Sequence, residues 1–433
     1  MDRSMRAVLA GTFTLRFSTG LTGAMLGAYL ATIAGISPIV VGVFGATFYL
    51  AELVLSPVFG ILSDRQGHHR VMLYGPLFGA IAVVITAFTT NVVLLGGTRW
   101  LEGASTAASV PSILGFIAMV TAGDATMRGK ASARFEGATL LGLGTGFAVA
   151  PILFSLVGPG AFLLNAVVYG VSFAIFWTVE DPVGEAASLK APHVGLTRYV
   201  DLLRTSHVWL LAPTWIAVNA SIGLWFSQSI FQFARADPRF PDQILMQGFS
   251  AVQISGAAVV MGLLFGAGLL YWGDRFKSMR RTTIILYGII GGGVLVGAAM
   301  VINHGTGAPL ALTLIAAAFA ALGLFVLAGA TPAALGLLAD MSERFPNDRG
   351  AIMGLYSVFL ALGQIIGAVI GGFAAEARGI DGMLVATGIL LLVALLPLAQ
   401  LRRDEEHFDQ PAEAQGPVDQ PVKDQEPGEA GPG

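Results

Sequence analysis

The sequence predicts an all-α membrane protein of twelve transmembrane helices in two pseudo-symmetric six-helix bundles, and three observations carry that prediction. The first is composition. Of 433 residues only 12% are charged and 55% are hydrophobic, with a mean hydropathy of +0.74. A water-soluble chain carries roughly twice that charged share, so most of this surface must face lipid. The second is that apolar runs of about 20 residues, the length that crosses a bilayer, recur along the whole chain. The third is that segments of the first half return in the second half in the same order.

The spans are read in order as 7–33, 38–62, 70–90, 93–121, 131–157 and 160–179, which make a first bundle over residues 1–179. The first run is a retained span and not a cleaved signal peptide. Arg16 interrupts its apolar core, no clear small-residue cleavage site follows, and the second span begins almost at once. Residues 180–206 form a polar cytoplasmic linker, whose last part reads as a short amphipathic helix on the membrane surface. A second bundle over 207–403 holds the spans 208–233, 245–271, 282–302, 308–338, 350–374 and 380–400. Residues 404–433 are rich in Pro, Gly, Gln, Asp and Glu, cannot bury enough apolar surface to fold, and read as a disordered acidic tail.

Loop charge sets the orientation. Arg3, Arg6, Arg65, Arg70, Arg128, Lys130, Arg275, Arg281, Arg402 and Arg403 fall on one side of this scheme, whereas Arg235, Arg239 and Arg378 fall on the other. The positive-inside rule makes the first side cytoplasmic, with both termini there, in a plasma (inner) membrane. The chain has no cysteine, which excludes disulfides, thiolate chemistry and cysteine metal sites.

The internal echoes are specific. "SDRQGHHRVMLYG" (63–75) pairs with "GDRFKSMRRTTIILYG" (273–288), aligning Asp64 with Asp274 and Arg65 with Arg275. "RWLEGASTAA" (99–108) pairs with "FVLAGATPAA" (325–334), where Phe325 and Ala328 replace Arg99 and Glu102. "RGKASARFEGATLLGLGTG" (128–146) pairs loosely with "RGAIMGLYSVFLALGQIIG" (349–367). Parallel six-helix repeats are a transporter architecture with the substrate between the halves near the midplane.

These residues resemble the major facilitator superfamily. "GILSDRQGHHR" (60–70) is similar to that family's loop between the second and third helices, with Gly60, Leu62, Asp64, Arg65 and Gly67 matching. His68 and His69 stand where basic residues are usual. "RWLEG" (99–103) is similar to its fourth-helix motif, with Glu102 where Gln is common. The Gly-Pro pattern of drug–proton antiporters is altered on both related spans: "GLGTGFAVAP" (142–151) has Phe147 and "GQIIGAVIGG" (363–372) has Ala368 in the proline's place. The resemblance covers residues 1 to about 403. It implies a conformational latch at Gly60, Asp64, Arg65 and Gly67 that docks on the start of the eleventh span near Arg349 and Gly350, with Asp274 as a weaker counterpart. A carboxylate beside a helix N-terminus is stabilised there by free N–H groups.

The intramembrane charges carry the functional reading. A charge at the centre of a membrane helix costs at least about 2.5 kcal/mol, so it marks function by default. Arg16, Glu52, Arg99, Glu102 and Glu136 all lie in the first half, whereas the second half offers neutral groups such as Asn219, Gln228, Gln232, Gln253 and Gln364. No histidine lies in a span core, so a proton carrier must be a carboxylate. Arg99 and Glu102 share a helix face by their i, i+3 spacing. Glu102 is the candidate proton site, with Arg99 and Arg16 as counter-charges and Glu52 or Glu136 as a second carrier; helix-tying ion pairs are the competing reading. Trp225, Gln228 and Gln232, on one face of the seventh span, are candidate cargo contacts together with Arg16.

The function expected is proton-coupled secondary transport, with export of a lipophilic or amphipathic small molecule first. Import of a small anionic or polar solute with protons, or carriage of a lipid or lysolipid, is the alternative. A membrane enzyme lacks support: no metal-ligand spacing and no phosphate-cradling Gly-Lys loop occurs. The expected partners are the bilayer, a small-molecule cargo and protons, with no nucleic acid, cofactor or metal, and the chain is expected to act as a monomer.

Overall fold

The computed structural model describes residues 3–121, 124–180, 208–275, 278–343 and 349–408. The helices are α1 (Arg3–Thr32), α2 (Pro38–Gln66), α3 (His68–Met72), α4 (Tyr74–Ala87), α5 (Val92–Val120), α6 (Ala125–Val157) and α7 (Gly160–Trp177), then α8 (Val208–Ala234), α9 (Ala251–Asp274), α10 (Arg281–Asn303), α11 (Leu310–Leu327), α12 (Ala330–Glu343) and α13 (Arg349–Phe408). Among the described residues the only β structure is an isolated bridge, Ala236 to Gln247.

Twelve crossings follow from these helices. Ten stretches are long and apolar enough to span, counting α3 with α4 and α11 with α12 as one each. Helix α1 adds another: its 30 residues reach about 45 Å at 1.5 Å per residue, although Arg3, Arg6 and Arg16 dilute its hydropathy. The last stretch supplies two. Helix α13 breaks at Arg378 and Gly379, and Gly379 takes φ 57°, ψ −138°, a conformation that favours glycine. Its two limbs are the expected spans 350–374 and 380–400.

Local sequence sets the helix starts. Ser37 caps α2 ahead of Pro38, the Asn91 side chain accepts from Val93 and Leu94, Asp124 accepts from Met127 N at 2.8 Å, and Ser250 with Gln253 forms a capping box. Gly67, at φ 93°, ends α2 and donates to Ser63 O at 3.0 Å.

Two of the expected spans are broken. The third span is broken at Leu73 into α3 and α4. The tenth breaks between α11 and α12, where the Trp272 indole donates to Phe325 O at 3.1 Å and its ring lies against Gly329. The linker helix expected before 206 lies outside the described residues. The tail starts later than expected, because α13 runs on to Phe408; residues beyond that are also outside the described set.

Buried apolar residues of α1–α7 form one continuous core, joined at one end by Ile230, Phe231 and Ile254, and two further clusters fill α8–α13. The repeats pack alike. Gly142 and Gly146 of α6 lie on the backbone of α1 at Phe13 and Phe17, as Gly363 and Gly367 of α13 lie on α8 at Ile216 and Ala220. The glycines of the altered antiporter motifs thus serve close helix approach.

We call the face where α1 begins the terminal face and the opposite one the far face. On the far face, residues 235–250 connect α8 to α9. There Asp237 accepts from Arg239 Nε at 3.1 Å and Nη2 at 2.8 Å, and Arg239 also reaches Glu376 at 3.0 Å. The hydrogen bonds from Arg239 hold the Asp237 carboxyl below the usual range.

Candidate functional site

Arg99 and Glu102 meet as their spacing predicts. Arg99 Nη1 donates to Glu102 Oε2 in a buried ion pair, and the Arg99 guanidinium lies 4.7 Å from the centre of the Phe48 ring. Gly103 lets α5 approach α2 closely at Phe48 and Ala51. The pair lies deep: Glu102 is about 16 Å along α5 from its Asn91 cap, at 1.5 Å per residue. Glu102 is only 2% exposed, and its Oε1 has no hydrogen-bond partner among the described residues. A buried carboxylate with one oxygen ion-paired and the other unmet has room for one proton.

Arg16 belongs to a second group. Its guanidinium acts electrostatically on Glu52 of α2 and Glu136 of α6, whereas Arg99 is the cation that acts on Glu102. The two groups also differ in access. Arg16 and Glu52 are half-buried and Glu136 is exposed, while Arg99 and Glu102 are sealed. Tyr49, half-buried on α2, interacts with Glu52, Arg99 and Arg16 and so stands between the groups. Tyr49 is not among the residues singled out from the sequence, although its place three residues before Glu52 puts both on one helix face. Tyr169 of α7 is a further neighbour of Glu102, and its hydroxyl meets Thr19 and Thr22 of α1.

The second copy of the motif keeps the place and loses the chemistry. Ala328 packs under Gly268, and Phe325 offers its carbonyl to Trp272.

Trp225, Gln228 and Gln232, assigned to cargo, lie on α8. Gln228 and Gln232 are fully buried. Gln228 Nε2 donates to Pro38 O at 2.8 Å, and Gln232 Nε2 donates to Gln228 Oε1 at 3.3 Å. Trp225 is half-buried and donates to Thr387 Oγ1 at 3.0 Å. The two glutamines therefore sit in the seam between the halves at the far face. Small residues complete that seam: Gly42 and Gly45 of α2 meet Ala368 of α13, and Gly372 meets Pro38 and Ile39.

The latch residues lie at the terminal face. Asp64 and Arg65 are exposed in the last turn of α2, and Asp64 makes no hydrogen bond or ion pair among the described residues. Gly60 faces α5 at Pro111, and Gly67 makes the turn. The histidines that follow are tied inward, His68 Nδ1 to Ser63 Oγ at 3.2 Å and His69 Nε2 to Phe176 O at 3.1 Å. Asp274 is exposed, and its neighbour Arg275 donates to the Tyr271 hydroxyl at 2.9 Å. The predicted partners Arg349 and Gly350 begin α13, but the surroundings of both lie outside what is described.

Comparison with known proteins places this geometry. The chain is 24% identical over 336 residues to multidrug resistance protein 2 of Bacillus subtilis, covering 76% of this chain and 78% of that protein. It is 23% identical over 296 residues to the quinolone resistance protein NorA of Staphylococcus aureus (67% and 71% covered), and 24% identical over 361 residues to the human chromaffin granule amine transporter (82% and 63%). Solved folds agree. The nucleoside transporter NupG superposes with a TM-score of 0.72 at 14% identity, covering 93% of this chain and all of that one. A D-xylose–proton symporter gives 0.66 at 14% identity, covering 91% and 96%. The family model for the Major Facilitator Superfamily matches residues 8–315 and again 241–425, and the chain belongs to that superfamily of transporters.

Proposed function

We propose that this transporter exports lipophilic or amphipathic small molecules in exchange for protons. It does so by alternating access between a bundle of residues 1–179 and one of residues 207–403, in the plasma membrane with both termini cytoplasmic. The observation that carries the proposal is the one-sided chemistry. The intramembrane ionisable groups Arg16, Glu52, Arg99, Glu102 and Glu136 belong to the first half, and the matching place in the second half is apolar. Two relatives are named for multidrug and quinolone resistance, which supports export. Under this orientation the sealed far face describes the state that faces the cytoplasm.

Protons reach Glu52 and Glu136 first, since these carry exposed surface beside Arg16. Glu102, with its unmet oxygen, is the inner site, and Tyr49 lies between the two groups. Arginine keeps its proton, so Arg99 and Arg16 act as fixed counter-charges. Protonating Glu102 weakens its hold on Arg99 within α5 and releases the guanidinium that lies over Phe48 of α2, favouring one facing; deprotonation on the other side resets it. Import of an anionic solute is the less favoured reading, because Arg16 already faces two carboxylates.

The test is proton flux in energised inside-out vesicles containing the full chain, read with a pH-sensitive dye. Lipophilic cations and amphipathic dyes should drain the acid interior through the wild type and not through Glu102→Gln. Equal drainage by both at every pH would remove Glu102 from the coupling role, and no drainage with uptake in right-side-out vesicles would reverse the direction.

A further inference from the structure

We infer that Asp242, His304 and Asp381 form a binding site for one divalent transition-metal ion of the Zn²⁺ class, on the far face of the second half. The three residues come from three elements: the α8–α9 connector, the end of α10 and the start of the second limb of α13. One ring nitrogen of His304 and one carboxylate oxygen from each aspartate all lie within 4.8 Å of one another. His304 Nε2 is 2.8 Å from Asp381 Oδ2, and His304 Nδ1 is 3.6 Å from Asp242 Oδ2.

An ion about 2.0–2.2 Å from each N or O ligand needs those atoms roughly 3–3.6 Å apart. The His304 Nε2–Asp381 Oδ2 separation of 2.8 Å is a hydrogen-bond distance just short of that range, so an ion on Nε2 would take the place of the shared proton and widen the pair by a few tenths of an ångström, and Asp242, exposed on the connector, would move in from the Nδ1 side to complete the set. A ring of surrounding bonds orients the ligands. Asn303, fully buried, donates to Asp381 Oδ1 at 2.8 Å and accepts from Leu245 N at 3.0 Å. This leaves Asp381 Oδ2 turned to the imidazole. The Asp381 backbone N–H donates to Gln243 Oε1 at 3.3 Å. Outer bonds of this kind fix metal ligands in place. Imidazole with carboxylates selects Zn²⁺, Ni²⁺ or Co²⁺ over Mg²⁺, whose preferred ligands are all oxygen.

A bound ion would join the connector to the break at Arg378 and Gly379. Gln243 already bridges these, donating to Arg378 O at 3.0 Å. The connector follows α8, which carries Gln228 and Gln232, so the ion would stiffen the second half next to the far-face seam.

The experiment uses the full chain, tag-free and purified in detergent after EDTA treatment. Titration calorimetry with ZnCl₂ should give one site per chain, and MgCl₂ should give none. His304→Ala should abolish that site and Asp381→Asn should weaken it at least about tenfold. Melting in EDTA checks that both variants fold. CoCl₂ added to the wild type should give the visible d–d absorption of a nitrogen- and oxygen-ligated ion, a readout that needs no variant. No heat with Zn²⁺ and no Co²⁺ spectrum would overturn the site. So would binding that folded His304→Ala retains, which is adventitious binding elsewhere.

Discussion

Gln228 donates its amide across the interface between the halves to the backbone carbonyl of Pro38, at 2.8 Å, from a fully buried position. Gln232 stands behind it and donates to Gln228 Oε1 at 3.3 Å. Around this bond the far-face seam is glycine and alanine, so the glutamine is its polar fastening.

Replacing Gln228 by Ala removes that fastening and leaves the Gln232 amide without its acceptor, at a cost of about 1–3 kcal/mol for a stranded buried group. The far face should open more often. The chain has no cysteine, so Ser227→Cys provides a clean reporter beside Gly45. A membrane-impermeant maleimide should label it roughly tenfold faster with Gln228→Ala, equivalent to ~1.4 kcal/mol. An unchanged rate would mean the glutamine does not hold the seam.

Gly42→Val attacks the seam sterically. A Cβ at Gly42 collides with the Ala368 carbonyl and comes within 3.1 Å of the Gly372 Cα, and backbone atoms cannot turn aside. Combined with the Ser227→Cys reporter, the variant should insert and melt normally, fail to transport, and take up the maleimide rapidly. Gly97→Ala, where nothing lies within 4 Å, is the silent control. Normal transport by Gly42→Val would show that the halves close without this contact.

The ion pair separates structure from coupling. Glu102→Leu strands Arg99 in a buried site and should lower stability by about 3–5 kcal/mol. Arg99→Met with Glu102→Leu removes both charges and should recover most of that loss, read as melting temperature in detergent. Under the proposed mechanism the double variant still moves no protons. If its proton flux is intact, the pair only ties α5 together.

The connector predicts an acid sensitivity. Arg239 holds the Asp237 carboxyl below its ordinary value of 3.8, so Asp237 stabilises the folded chain above that pH. The contribution fades as pH falls through the lower folded value. Melting temperature should therefore drop below about pH 4, and less so in Asp237→Asn. Parallel curves for the two proteins would show that Asp237 adds nothing.

The spans and the Arg99–Glu102 pair were legible because each rests on spacing within one helix. Partners across helices were not. Arg16 matched Glu102 by charge alone, yet it faces Glu52 and Glu136, since rotation about α1 decides its neighbours and a helix apolar on all sides does not announce its rotation. The same holds for Gln228 and Gln232, which read as one polar face of a span and whose place in the seam between the halves is set by that rotation. Asp242, His304 and Asp381 are brought together only by the turn at Gly379 and the fold of the connector. Their separation in sequence hides them.

The glycine seam has a mechanical consequence. Interlocking side chains resist sliding, since each must leave its notch before the helices can move. Gly42, Gly45 and Gly372 present smooth backbone to their partners, so under the proposed cycle the two halves would roll over one another as a plain bearing does. On such a surface one directional bond, Gln228 to Pro38, sets the stopping point, like a single detent on a shaft.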